Sequence, residues 1–471
     1  MSQSQRTSFR DPGGRVVRAG DRVLRLLNES GAAEFEAFAA SACAKKLAGE
    51  GKLVGARRLD AAPAGLAESP PAMCLEHDAI WFPSYPGEWP PEMLHAAGVL
   101  TLDLMEQSLG EGFGLKDATP HNVLFNGPAP VFVDWLSFEK RDALDPLWLA
   151  QAQFARTFLL PLLAWKRLGL PPHEALLVHR DGIEPAQLYK MLGWWGRVRP
   201  PALGLVSMPT WLSGKAEQEG EQLYSPRREN DPKKARFILD FALRGLKKKL
   251  TRVAPQAARD SVWSGYMETR PGHYEAETFA AKEAFVGDAL KSVGPAHVLD
   301  VGCNTGHFSE IAAKAGAQVV GIDLDPVVVG MTWRRASGKS LNIQPLVVNL
   351  AQPTPALGWR NAECASFLER AAGRFELVLM LAVVHHMLVS ERVPLEEIVD
   401  VVAELSTDAV VIEYVDPADP MFRRIVRGRE NLHAGLTPER FEAAWKARFE
   451  VARSEKIGQT RALYLMRRRS N

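Results

Sequence analysis

One stretch constrains this chain more than any other: HVLDVGCNTGHFSEIAAKAGAQVVGID, residues 297–323 of 471. HVLDV is an apolar run of strand length, GCNTG a tight loop, HFSEIAAKAG a helix stopped by Gly316, and QVVGID a second apolar run ending in an acid. Strands this apolar on both faces belong inside a parallel sheet, and parallel strands need a helical crossover between them. Gly302 and Gly306 let the loop backbone approach a ligand with no Cβ in the way. Asp323, at the tip of the second strand, sits where a carboxylate accepts both hydroxyl protons of a ribose. Strand, glycine loop, helix, strand and acid together form a nucleoside-gripping unit of doubly wound α/β sheets.

Two details narrow the nucleoside. A dinucleotide site needs G-x-G-x-x-G, whose last glycine admits a pyrophosphate over the helix start. Here Gly302, Asn304 and Gly306 are followed by His307, so that third glycine is missing. Asp300 precedes the loop, where it repels a diphosphate and suits a cationic ligand. The loop resembles motif I of the class I S-adenosylmethionine-dependent methyltransferases, acid-x-Gly-x-Gly-x-Gly. Asn304 replaces the middle glycine, and asparagine is among the residues that best tolerate left-handed backbone angles. The resemblance continues through Ile343–Val348, Glu376–Leu381 and Ala409–Val415 as third, fourth and fifth strands. FEVARSEKIGQTRALYLMRR reads as a terminal antiparallel pair turning near Gly458.

The resemblance implies an α/β fold, a Rossmann-like seven-stranded sheet over residues 263–471, with S-adenosyl-L-methionine as cofactor. It implies that Asp300, Gly302, Cys303, Asn304 and Gly306 line the methionine and ribose portion. Asp323 and Leu324 then flank ribose and adenine, Asn349 meets the adenine edge, and Leu381 and Ala382 face the reactive methyl group. No metal is implied.

The acceptor is read from the segments after the later strands. LAVVHHMLVSER lacks the Asn/Asp-Pro-Pro-aromatic signature of amino-group methyltransferases of nucleic acids. His385 and His386 stand where many small-molecule members carry a His-His pair. Either could serve as base for an O-methylation, with an unperturbed pKa near 6.5, or both could simply pack beneath the cofactor. DPADPMFRRIVRGRENLHAG brings Arg423, Arg424, Arg427 and Arg429 to the edge where acceptor pockets form, as anion ligands or as a solvated face. Tyr274 is a candidate aromatic lid, with core packing as its alternative.

The amino-terminal part carries a second pattern, LKDATPHNVLFNGPAPVFVDW at Leu115–Trp135. Asp117 and Asn122 are five apart, and Asp134 closes a following strand. This resembles the catalytic loop and metal-binding aspartate of aminoglycoside-phosphotransferase-like kinases, which need a base, an amide oxygen and a chelating carboxylate around magnesium. GRVVRAGDRVLRLL fits a strand pair and AEFEAFAASACAKKL the adjacent helix. The departures are specific: no glycine-rich phosphate loop, Arg25 where an ATP-gripping lysine belongs, and Leu115-Lys116 in place of His-Gly. An α+β kinase-like domain over 1–225, degenerate and acting as a scaffold for substrate or partner, is the expectation.

Between the two, residues 226–262 read as a basic linker. Lys233–Val253 has a helical period, eight basic residues against Asp240 alone, and Phe237, Phe241 and Leu250 near helical spacing. It fits a linker helix that packs its phenylalanines between two domains, or contact with a membrane surface or nucleic acid. Gly196–Pro232 reads as irregular structure. Elsewhere the charge is balanced, 57 Lys and Arg against 56 Asp and Glu, so no global field gathers nucleic acid. The cysteines, Cys43, Cys74, Cys303 and Cys364, show no CxxC pair, which fits a reducing compartment. No apolar run reaches the roughly 20 residues of a membrane span, and the amino end lacks a signal-peptide core. The chain is therefore expected to be cytoplasmic, with methyl transfer to oxygen or nitrogen of a small or conjugated metabolite, an anionic one where the arginines serve as its ligands. Three other readings fit the same residues: a bifunctional kinase-methyltransferase, an RNA methyltransferase, and a lapsed S-adenosylmethionine-binding regulator.

Overall fold

Apolar runs become strands in both halves of the chain, but the spacing of helices between them differs, and so does the sheet that results. A computed structural model describes residues 5–6, 8–63, 66, 70–212, 228–256, 276–426 and 435–469. Its contacts fall into two units, Met1–Gln256 with Ala356–Cys364, and Ala257–Pro355 with Ala365–Asn471.

In the first unit every strand pair is antiparallel. Strands β1 (Gln5–Arg6), β2 (Gly14–Ala19), β3 (Arg22–Leu27), β4 (Ala56–Leu59) and β5 (Met73–His77) form one sheet in the order β1-β2-β3-β5-β4. The β2–β3 hairpin turns on Gly20 at φ +63°. Helix α1 (Glu29–Ala39) starts where Asn28 Oδ1 accepts the Gly31 N–H at 2.9 Å, an N-cap that satisfies one orphan donor. Helix α2 (Pro91–Ser108) buries Met93, Leu94, Ala97 and Leu104. Two small antiparallel pairs follow, β6 (Phe113–Leu115) with β9 (Phe138–Lys140) and, between them in the chain, the hairpin of β7 (Val123–Asn126) with β8 (Ala129–Phe132).

The basic segment is one helix, α3 (Pro232–Val253), inside this unit. It packs Leu239, Leu243, Leu246 and Leu250 inward, with Leu250 against α2 at Gly98 and Lys247 Nζ bridging Asp103 (2.8 Å) and Glu106 (2.6 Å). Phe237 and Phe241 are not on that side, contrary to the sequence reading; they are 65% and 68% exposed. Two residues' separation is about 200° around a helix, so once the leucine stripe faces in, Phe237 and Phe241 face out. The irregular reading of Gly196–Pro232 is corrected as well: helical turns cover Trp194–Val198 and Leu203–Ser207, while 213–227 lie outside the described residues.

In the second unit long crossovers give parallel strands. The sheet contains β10 (His297–Val301), β11 (Gln318–Asp323), β12 (Ile343–Val347), β13 (Phe375–Met380), β14 (Ser406–Val415), β15 (Phe449–Ile457) and β16 (Arg461–Arg468), ordered β12-β11-β10-β13-β14-β16-β15. The first five are parallel, and β16 runs antiparallel between β14 and β15, turning at Gly458 with φ +65°. This is the seven-stranded sheet with a terminal antiparallel pair that the sequence predicts. Its helices include α4 (Ala276–Val293), α5 (His307–Lys314), α6 (Pro326–Gly338), α7 (Val384–Val389) and α8 (Pro420–Val426). Val298, Val319, Leu377, Leu379 and Val411 are fully buried in the core beneath the strands. At roughly 1.5–3 kcal/mol per buried aliphatic side chain, this core, and not the loops above it, fixes the strand ends.

Candidate active site

The carboxyl ends of β10, β11 and β13 meet at the glycine loop. Register places Val301 opposite Ile322 and Met380, so residues 302, 323 and 381 follow side by side. Gly302 has φ +71°, and a Cβ there would collide with Val383 Cγ2. That close approach pins the segment after β13 onto the loop. Asn304 adopts φ +49° and Gly306 φ +78°, so the asparagine does take the left-handed conformation. The loop compensates the strain with hydrogen bonds. Asn304 N–H donates to Asp323 Oδ2 at 3.0 Å, and Thr332 Oγ1 donates to the Asn304 carbonyl at 2.8 Å.

Asp323 holds the loop at both its oxygens, since Oδ1 accepts the Asp325 N–H at 3.0 Å. A carboxylate oxygen has two lone pairs, so each retains acceptor capacity for a ligand hydroxyl. Asp300 is buried and accepts from Ser309 Oγ at 2.6 Å. Burial pushes both acids up to about 6, and the charge of Asp323 adds to the shift at Asp300. Among the described residues neither has a cationic partner. Two desolvated carboxyls with spare acceptor sites fit a ligand that brings hydroxyl donors and positive charge, as S-adenosylmethionine does. The Cys303 thiol lies buried between them and is raised well above its usual range by burial and then by those acids, which makes it inert packing.

The other sequence candidates distribute around this centre. Leu324 is exposed, Asn349 Oδ1 accepts the Ala351 N–H at 2.9 Å, and Leu381 is buried. Ala382 has φ +56°, a left-handed non-glycine residue at the end of β13. Such strain persists only where the surroundings over-determine it. His385 and His386 lie on α7, ring centroids 4.3 Å apart, and His385 stacks on Phe422 of α8 at 6.1 Å. His385 is 3% exposed, and its buried Nδ1 has no hydrogen-bond partner among the described residues. Burial, then the neighbouring His386 and Arg461 charges, hold His385 well below the usual imidazole range; burial and then Arg461 lower His386. Arg423 and Arg424 are exposed on α8, while Tyr274, Arg427 and Arg429 lie outside the described residues.

Sequence reasoning missed a buried ionic network next to the histidines. Lys282 Nζ meets Glu413 Oε2 at 2.6 Å, Arg461 reaches Glu413 at 3.0 Å, and Arg461 forks onto Asp419 at 2.9 and 3.1 Å. Thr460 Oγ1 and the Met421 N–H also donate to Asp419, both at 2.8 Å. Such a group is tolerated inside only because every charge is paired. It anchors the start of α8, and with it Phe422 against His385. The signal was present in AVVIEYV, where Glu413 interrupts an otherwise apolar strand.

In the first unit, Asn122 Nδ2 donates to Ser137 Oγ at 3.0 Å, and Ser137 donates to Asp134 Oδ2 at 2.6 Å. The buried Arg25 guanidinium sits 2.6 Å from Asp134 Oδ1. Burial alone would raise Asp134, but Arg25 and the Ser137 hydroxyl outweigh it and leave the carboxyl below its usual value. Asp117, by contrast, is raised, first by burial and then by the charge of Asp134.

Residues 246–450 match a family model described as a methyltransferase domain. Over 465 residues the chain is 31% identical to nodulation protein NoeA of Rhizobium meliloti, covering 98% of this chain and 95% of that protein. A 93-residue stretch is 30% identical to the ubiquinone biosynthesis O-methyltransferase of Coxiella burnetii, 19% of this chain and 32% of the relative. Among solved structures, N-methyltransferase NodS from Bradyrhizobium japonicum WM9 aligns with a TM-score of 0.32 and 14% identity, covering 42% of this chain and 99% of NodS.

Proposed function

We propose a base and an acceptor class for this chain, which belongs to the family of nodulation protein NoeA and is an S-adenosylmethionine-dependent methyltransferase. The methyl group goes to an oxygen or nitrogen of a small or conjugated metabolite, and His386 takes the acceptor's proton. The carrying observation is the contact that a Cβ at Gly302 would make with Val383, which fixes the His-His helix beside the glycine loop. His386 is half-buried, and burial lowers its imidazole pKa, so it is mostly in the neutral, base form at pH 7; the enclosed His385 ring lies 4.3 Å from it.

Asp300, Gly302, Cys303, Asn304 and Gly306 would hold the methionine and ribose portion, Asp323 and Leu324 the ribose and adenine. Asn349 would meet the adenine edge, and Leu381 with Ala382 would border the transferred methyl. The bound cofactor supplies that methyl on a cationic sulfonium. The chain's residues orient the acceptor, exclude water and hold the proton at the His386 imidazole. Arg423 and Arg424, which have no ion-pair partner among the described residues, are the cations an anionic acceptor would meet.

The amino-terminal unit is proposed as a kinase-derived scaffold without phosphotransfer. The Arg25–Asp134 pair supports this, because a fixed guanidinium occupies the charge that a magnesium ion would otherwise neutralise at Asp134. The acceptor is tested by incubating methyl-labelled cofactor with fractionated cell extract. Label should enter the small-molecule or conjugate fraction, and His386→Gln should remove it. Label confined to RNA, or no transfer at all by the wild type, would overturn the acceptor class.

A further inference from the structure

None of the residues assigned to methyl transfer lies on the outer face of α3. Opposite its leucine stripe run Phe237, Phe241, Arg244, Lys248 and Arg252, all exposed. They recur at helical spacing, so they form one stripe. The helix holds eight basic residues against Asp240 alone, and Asp240 is already engaged by Arg236 at 2.8 Å. Lys248 and Arg252 have no ion-pair partner among the described residues. Two phenylalanines left in water on a strongly cationic stripe are costly unless something covers them, and the uncompensated cations state the sign of its charge.

A second exposed patch is linked to the same helix. Trp194 and Trp195 are 64% and 65% exposed, with Met208 at 50% and Leu212 at 63%. Arg197, from the turn that carries both tryptophans, lies over the Tyr189 ring at 4.1 Å, and Tyr189 meets Trp211 edge-on at 6.4 Å. Helix Leu160–Leu168 touches the segment that carries each patch. Its Lys166 Nζ donates to the Arg252 carbonyl at 2.6 Å, and Arg167 donates to the Pro200 carbonyl at 3.3 Å. Aromatics with cations also suit single-stranded nucleic acid. Exposed Met208 and Leu212 do not, because aliphatic side chains gain from acyl chains and not from base stacking. No helix among the described residues is long and apolar enough to cross a membrane, so this chemistry suits lying on a bilayer.

We propose that this face of the amino-terminal unit docks on an anionic lipid surface. Phe237, Phe241, Trp194 and Trp195 enter the headgroup boundary, where aromatic rings are favoured. Arg244, Lys248 and Arg252 meet lipid phosphates, each contributing about fivefold in partitioning near an acidic leaflet. The test is cosedimentation of the intact protein with phosphatidylcholine vesicles, with and without phosphatidylserine. We expect pelleting only with phosphatidylserine, weakened by salt. Lys248→Gln with Arg252→Gln should lower it about 25-fold, and Phe237→Ser with Phe241→Ser about tenfold or more. All four substitutions are at exposed positions, so circular dichroism and cofactor binding should match the wild type. Failure to pellet with anionic vesicles overturns the proposal. So does pelleting that the phenylalanine variants leave unchanged, or tighter binding to a single-stranded RNA oligonucleotide that prevents pelleting.

Discussion

Asp134 in the amino-terminal unit and the Asp300–Asp323 pair in the carboxy-terminal unit meet the cost of burial in opposite ways. In the amino-terminal unit Asp134 has a permanent partner, Arg25 at 2.6 Å, and titrates below its usual value. In the carboxy-terminal unit Asp300 and Asp323 have only hydrogen-bond donors and rise to about 6. An acid with a built-in counter-charge is complete and serves the fold. Acids left short of one store an electrostatic deficit that a ligand removes on binding. Sites that look alike in sequence as loop-borne aspartates thus separate once their partners are known.

The comparison can be broken most forcefully at Arg25. Arg25→Met leaves Asp134 buried and unpaired, and chemical denaturation should show a loss of about 3–5 kcal/mol in the amino-terminal unit. Affinity for S-adenosylmethionine should not move. A loss below about 1 kcal/mol would make the pair incidental.

His386→Gln comes next. It should lower kcat by about 10²–10⁴-fold with cofactor affinity unchanged, as loss of a general base does. In the wild type the acid limb of kcat should fall below pH 6.5, because the imidazole is lowered from that value and stays neutral, hence able to accept a proton, into mildly acid solution. A limb at 6.5 or above would assign the base elsewhere.

Cofactor affinity itself should weaken on acidification, by about tenfold between pH 7.5 and 5 for each carboxyl that must be ionised, when its pKa lies near 6. The sign for stability is opposite. With folded values above the unfolded one near 3.9, these two acids make the free protein less stable as pH rises from about 4 to 6, after which their contribution is flat. Thermal shift by the cofactor should therefore be larger above pH 6 than at pH 5. Equal shifts at both would mean the acids do not contact it. The smallest effect is at Asn304, where Asn304→Ala should cost about 1 kcal/mol at a left-handed position and Asn304→Gly almost nothing.

Much of the second unit was legible because its signals are local. Strand, loop, helix and acid lie within 297–323, and Asn304 could be assigned a left-handed angle from its own chemistry. Strand ends moved by one to three residues, as at Ala409, where the strand begins at Ser406. What was illegible depends on partners distant in sequence. Glu413 showed as an acid in an apolar strand, but its partners Lys282 and Arg461 are on other elements. Arg25 was visible as a replacement for lysine, yet only the fold sets it against Asp134. Phe237 and Phe241 were assigned inward because both faces of α3 carry large apolar residues, and the leucines' fit against α2 decides between them.

The most direct measurement is calorimetric titration of S-adenosylmethionine into the full-length wild type and into Asp323→Ala, with the fold of each checked by circular dichroism. Loss of charge-assisted hydrogen bonds from the carboxylate, about 1.5–3 kcal/mol each, should weaken binding on the order of 100-fold while the protein remains folded. Wild-type affinity in Asp323→Ala would contradict the assignment of the acid-lined loop as the cofactor site.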